Sequence, residues 1–117
     1  MPTPNLNIDV DMGALPEIRS YAAKSDGGNV FLTGSGSFYE KLPKGVSTIS
    51  ATAQGTGLTV HLTTNTGGAY RYLSRTADAG QTVVLSNVAV PKGETRYLNV
   101  QTKGTGDVGV TIITYPL

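Results

Sequence analysis

The feature that most constrains the fold is a segment that occurs twice in the sequence. The first copy runs from Leu42-Pro43-Lys44-Gly45 through a β-branched stretch to Gly55-Thr56-Gly57 and an apolar run. The second runs from Val90-Pro91-Lys92-Gly93 through a similar stretch to Gly104-Thr105-Gly106 and its own apolar run. Since Gly and Pro punctuate strands and β-branched residues favour them, each copy predicts a turn, a strand, a turn and a strand. The repeat contains no reactive group, so it predicts architecture and not chemistry.

Strand-like runs recur from residue 29 to the C-terminus, each closed by Gly, Pro, Asn or Asp. The eight predicted strands cover residues 29–33, 37–42, 46–54, 58–64, 69–76, 81–90, 95–102 and 108–115. This density leaves room for no helix beyond one turn between Pro16 and Lys24. We therefore expect an all-β fold, an antiparallel β-sandwich of about eight strands with jelly-roll or Greek-key topology, formed by residues 29–117.

Period-2 alternation predicts which side chains face the core of this sandwich. The predicted core positions are Ile49, Ala51, Ala53, Leu58, Val60, Leu62, Leu98, Val100, Thr102, Val108, Val110 and Ile112. The two Gly-Thr-Gly loops are short and glycine-rich, so they are expected to close antiparallel hairpins. Pro43 and Pro91 cannot donate to a strand ladder, and we expect them at corners where the chain crosses between sheets.

Residues 1–28 are expected to form an N-terminal arm and connector. An extended strand at residues 6–12 has the apolar positions Leu6, Ile8, Val10 and Met12. This strand is either an edge strand of its own domain or an arm that completes a neighbour's sheet through main-chain hydrogen bonds. The following stretch, 15–24, is predicted to be irregular, with a single helical turn that begins at Pro16 or an extended crossing as the alternatives.

Composition excludes several classes of function. The chain has no Cys, which excludes disulfides and a thiolate nucleophile, and only 15% of its residues are charged, with a net charge of +1. Because its basic residues are scattered, we expect no nucleic-acid partner and no membrane. The start of the chain has no signal-peptide pattern, so we expect either synthesis in the cytoplasm or that the sequence is a fragment of a longer protein. A polar surface so poor in charge suits close packing against other protein.

No residue pattern indicates an enzyme, and we expect no catalytic, cofactor-binding or metal-binding residues. The side chain of His61 is on the other face of its strand from Leu58, Val60 and Leu62, and we predict that it lies on the surface. Asp9 and Asp11 lack the further oxygen ligands of a calcium loop. The chain also lacks a Gly-x-Ser-x-Gly motif.

The most binding-like pattern is Tyr70-Arg71-Tyr72. Two Tyr side chains on one strand face suit the core or a subunit interface, and we take Tyr70 and Tyr72 as interface candidates together with the apolar positions of the arm. The alternative is a sugar platform to which Tyr97 contributes, although the chain lacks the Trp that carbohydrate sites usually use.

The chain resembles the small all-β accessory proteins of tailed-phage virions, of the capsid decoration or cement type. The resemblance lies in the start at residues 1–5, in the apolar arm, and in the C-terminal part from Val90-Pro91-Lys92-Gly93 to Tyr115-Pro116-Leu117, which ends with a strand. The resemblance implies a cofactor-free structural protein of the virion that self-associates, often as a trimer, and binds capsid protein. A second likeness is to sandwich modules of secreted bacterial enzymes, in which a strand such as Gly93–Tyr97 enters the core. It leaves a carbohydrate-binding or adhesin module as the alternative function.

Overall fold

The structure, a computed structural model, describes residues 15–34, 36–66 and 70–117, and the statements below concern these residues. They form nine strands and no helix. The strands are β1 (Glu17–Ser25), β2 (Gly28–Asn29), β3 (Tyr39–Lys41), β4 (Gly45–Gln54), β5 (Leu58–Thr63), β6 (Arg71–Ala77), β7 (Thr82–Val90), β8 (Tyr97–Thr102) and β9 (Gly106–Pro116).

The strands form two antiparallel sheets packed face to face. Sheet A has the order β1-β9-β4-β7, and sheet B has the order β2-β8-β5-β6, with β3 also paired to β8. Because β2 and β3 pair with successive parts of β8, they share one position at the edge of sheet B. Each sheet thus interleaves strands from distant parts of the chain, as in a jelly roll built of Greek keys. The predicted antiparallel β-sandwich is confirmed.

Both Gly-Thr-Gly loops cross between the sheets, and the predicted hairpins are wrong. The strand before each loop lies in one sheet and the strand after it in the other: β4 pairs with β7 and β9, whereas β5 pairs with β6 and β8. Three extended residues reach about 10 Å, which is also the usual separation of stacked sheets. A loop of this length can therefore join two strands of the same sheet in a hairpin or two strands of different sheets. Pro43 and Pro91 do lie between strands of different sheets, as predicted.

The two copies of the repeat pack against each other at the centre of the sandwich. Strand β4 pairs with β9 and β5 pairs with β8, so the repeat supplies the two central strands of each sheet. Its crossings are hydrogen-bonded side by side: Lys103 N donates to Gly57 O at 3.0 Å, and Gly104 N donates to Thr56 Oγ1 at 2.8 Å. The repeat is therefore the structural centre of the fold.

The predicted core positions are all buried. Their side chains are at most 5% exposed, and those of Ile49, Val60, Leu98, Val100 and Ile112 are completely inaccessible. Burying an aliphatic side chain of this size contributes roughly 1.5–3 kcal/mol. Alternation therefore assigned these core positions of β4, β5, β8 and β9 correctly, whereas the buried apolar residues outside these strands, such as Val30, Leu42 and Val90, were not in the predicted set.

The stretch predicted to be irregular, with a helical turn or an extended crossing as the alternatives, forms the regular strand β1, which pairs with β9 along its whole length. Arg19, Tyr21 and Ala23 lie opposite the buried residues of β9 and so point inward at the rim. The Tyr21 hydroxyl donates to Glu40 Oε1 at 3.0 Å, and Arg19 Nη1 lies 3.5 Å from the same oxygen. Because Arg19 and Tyr21 occupy inward positions of β1, the strand does not show the alternation of apolar residues that marks the other strands. The sequence pattern therefore did not predict it. The predicted strand at 6–12 lies outside the described residues.

Candidate functional site

Of the interface candidates, Tyr70 and Tyr72 are described, whereas Leu6, Ile8, Val10 and Met12 lie outside the described residues. Tyr70 is 65% exposed and Tyr72 is 50% exposed. The Arg96 guanidinium lies 5.6 Å from the centre of the Tyr72 ring and forms an ion pair with Glu94 at 2.9 Å. Partial burial raises the pKa of the Tyr72 hydroxyl, and the Arg96 charge opposes this shift. One face of the Tyr72 ring is thus occupied by a cation.

His61 is buried, with 7% of its surface exposed, and its prediction as a surface residue is wrong. It lies on β5, in the middle of sheet B, and faces away from the core. Its Nδ1 is 2.6 Å from Ser74 Oγ on β6, and its Nε2 is 3.4 Å from Gln101 Oε1 on β8. Alternation gave the direction of the side chain correctly, but neighbouring strands cover it.

The His61 contacts continue into a polar network across the outer face of sheet B. Gln101 Nε2 donates to Asn29 Oδ1 at 2.8 Å, and Asn99 Nδ2 donates to the same oxygen at 3.2 Å and to Phe38 O at 3.1 Å. Asn99 is completely buried, and its Oδ1 has no partner in the described part of the chain. The network ties β6, β5, β8 and β2 together.

The electrostatics of this network keep His61 neutral near pH 7. Burial lowers the pKa of the imidazole, and the positive charge of Arg71 lowers it further. Since Gln101 Oε1 can only accept, Nε2 carries the proton and Nδ1 accepts from the Ser74 hydroxyl. A serine bonded to a neutral histidine has the form of a nucleophile and its base, but the orienting group is an amide where hydrolases use a carboxylate. The arrangement fits a structural cross-link between strands.

The outer face of sheet A is almost free of charge. By alternation from the buried positions, its outward side chains include Thr and Ser residues on β4 and β9, together with a set of apolar residues. These are Ile18, Val46, Val84, Ala89, Ile113 and Tyr115. Ile18 is 63% exposed, Val84 57% and Tyr115 42%. Among the residues that the structure describes, the charged side chains on this face are Lys24 and Asp107, which pair with each other at 3.7 Å at one end.

A cavity of about 450 Å³ opens beside the end of β1. Asp26, Asn29 and Phe31 are among the residues that line it. Asn29 is held by the two amide donors at its Oδ1, and Phe31 stacks on Phe38 with ring centres 3.9 Å apart. The cavity therefore combines a carboxylate, a fixed amide and an aromatic ring.

The described residues contain no group of three or more His, Cys, Asp and Glu side chains that could hold a metal ion. Within the same ranges there is also no helix long and apolar enough to cross a membrane.

No protein-family model matches the chain, and the curated proteins give no match either. A solved structure from work on Bacillus endospore appendages, described as a novel family of disulfide-linked pili, aligns with 96% of this chain and 100% of its own. The two chains are 10% identical in sequence, with a TM-score of 0.39. A similarity this low does not bear on function.

Proposed function

We propose that this protein is a structural protein that self-associates through the outer face of sheet A. The observation that carries the proposal is this broad face, whose charged side chains are confined to one end while Ile18, Val84 and Tyr115 are exposed. Interface cores are depleted in charge, and exposed apolar patches of this kind mark contacts with other protein. The virion assignment, as a decoration or cement protein on a capsid, rests on the sequence resemblance.

The size of the face suits a second copy of the chain. Four strands spaced about 4.8 Å apart and about nine residues long cover about 600 Å². Two such faces together bury about 1,200 Å², which is the lower limit for specific interfaces. The charged pair at the end of the face has one residue of each sign, so Lys24 of one copy can face Asp107 of the other. Most of the face is uncharged, which keeps the desolvation cost of packing low.

The proposal is tested by placing charges on this face. The double variant Ile18→Lys, Val84→Lys changes exposed side chains, so its melting temperature should stay close to that of the unchanged protein. Its association, measured by light scattering, should weaken at least tenfold, or about 1.4 kcal/mol. Thr105→Lys, exposed on the second Gly-Thr-Gly crossing, is the matched control and should associate normally. A monomeric unchanged protein, or a double variant that associates normally, would contradict the proposal.

The cavity beside β1 favours a second candidate function, a carbohydrate-binding module. Sugar hydroxyls suit a carboxylate such as Asp26 and an amide such as Asn29, and an aromatic ring such as Phe31 suits the apolar face of a sugar. Glycan-array binding that is lost in Phe31→Ala and kept in Tyr70→Ala would support this function. Absence of binding to any glycan would contradict the carbohydrate-binding function.

A further inference from the structure

We propose that the segment Leu6–Met12 of one copy adds as a strand to the open edge of β6 in a neighbouring copy. This inference rests on the proposed self-association and names the contact partner of the arm. Among the described residues, β6 pairs only with β5, so its other edge presents free main-chain donors and acceptors. Strand addition uses such an edge and needs one row of apolar side chains on the added strand.

The core is less completely covered at the rim where β6 lies. Leu73 of β6 points toward the core, opposite Leu62, but is only partly buried. On β7, which borders the same rim, Val83, Leu85 and Val88 keep 5–6% of their surface exposed, whereas the residues of the central strand β5 that face the core keep at most 1%. The apolar positions of the arm would cover this gap.

The other edges are less suitable. At the opposite rim, Arg19 and Tyr21 of β1 contact Glu40 of β3, and Arg19 Nη2 donates to Lys41 O at 3.5 Å. On β7 the register shifts beside Asn87, whose φ is 57°. A bulge of this kind twists the strand and interrupts the ladder that an added strand would need. The register of β6 also shifts, at Tyr72, but this is next to its first residue, so the edge from Leu73 to Ala77 stays regular, whereas the shift on β7 falls in the middle of the strand.

Length and charge match the arm to β6. The segment 6–12 and β6 each have seven residues. The arm segment carries Asp9 and Asp11, a charge of −2, and β6 carries Arg71 and Arg75, a charge of +2. Both arginines lie in exposed positions of the strand. Arg71 lies opposite Thr63 on the outer side of sheet B, the side on which Asp9 and Asp11 would lie when the apolar row of the arm faces the core, whereas Arg75 lies opposite Val60 on the same side as Leu73. Opposite charges on adjacent strands attract.

The position of β1 favours a neighbouring copy over the same chain. Glu17 begins β1 at one edge of sheet A, whereas β6 is at the far edge of sheet B. Crossing three strand spacings and one sheet separation requires about 17 Å in a straight line. The five steps from Glu17 to Met12 reach about 17 Å only when fully extended, which leaves no length for passing round side chains.

The contact is tested by reversing the charges of the arm in one variant and those of the β6 edge in another, and by then mixing the two variants. The arm variant is Asp9→Lys, Asp11→Lys, and the edge variant is Arg71→Glu, Arg75→Glu. Each alone should associate at least tenfold more weakly than the unchanged protein in low salt. An equimolar mixture should recover association, because both kinds of arm then meet an edge of opposite charge. The matched control, Lys92→Glu, Lys103→Glu, changes the net charge of exposed positions as the edge variant does and should associate normally.

Deletion of residues 1–13 separates failure of this contact from failure of the proposed function. The truncated chain should keep its melting temperature and lose strong association. A sharp fall in melting temperature would mean that the arm packs in its own domain, which overturns the contact. Normal association after truncation, or of the edge variant, would also overturn it and leave self-association standing. A monomeric unchanged protein would overturn both.

Discussion

Gly106 and Gly57 occupy equivalent places in the two copies of the repeat, yet alanine should be tolerated at only one of them. A Cβ on Gly106 would overlap Gln54 O and lie 2.7 Å from Thr56 Cγ2. The backbone of Gln54 is fixed because it pairs with Asp107 between central strands. A Cβ on Gly57 would meet Ala77 O and Lys103 Cδ at 3.5 Å, which is ordinary van der Waals contact.

The expected difference between the two variants follows from these distances. Overpacking of a rigid site costs typically about 1–3 kcal/mol, and here the clash is partly with main chain, so we expect about 3 kcal/mol for Gly106→Ala. For Gly57→Ala we expect a change within about 0.5 kcal/mol. At about 4 °C per kcal/mol for a domain of this size, the melting temperatures should differ by about 10 °C.

Thermal unfolding followed by far-ultraviolet circular dichroism, with urea unfolding as a second measurement, checks this prediction. Gly106→Ala should lower the urea midpoint with an unchanged slope, because the native state stays compact. Equal stability of the two variants would refute the close contact between the two crossings and with it the central packing of the repeat.

Three further predictions concern the core, the buried histidine and pH. Val60→Ala or Leu98→Ala should cost about 2–4 kcal/mol in urea unfolding, since both side chains are completely buried; a cost below about 1 kcal/mol would contradict this packing. His61→Ala should cost about 1–3 kcal/mol and not the small amount expected of a surface residue, because it leaves the Ser74 and Gln101 contacts unmade. The pKa of His61 in the folded state lies below its ordinary value of 6.5. As the pH falls, the unfolded chain therefore binds a proton at this residue before the folded chain does, so the free energy of unfolding should decrease below about pH 6.5. Since His61 is the only histidine, a His61→Gln variant should lose this dependence below about pH 6.5; an unchanged pH profile would refute the assignment.

The core positions of four strands and the crossings at the two prolines could be predicted from the sequence because they depend on local properties. Alternation fixes which side chains share a strand face, and it identified the buried positions of β4, β5, β8 and β9. Proline excludes a residue from the interior of a ladder, which placed Pro43 and Pro91 at crossings.

The strand pairing and the burial of outward residues were decided by the tertiary structure. A three-residue Gly-Thr-Gly loop is long enough for a hairpin or a crossing, and which one forms depends on strands remote in sequence. Strand β1 is held at the rim by Glu40, more than fifteen residues away, so no local apolar pattern marks it. His61 points away from the core as predicted, but its burial depends on Ser74 and Gln101 of the two adjacent strands. On the strands that alternation marks, the sequence by itself determined which side chains share a face, because that is a local property of the backbone. The structure alone decided what each side chain meets, because that is set by which distant strands lie beside it.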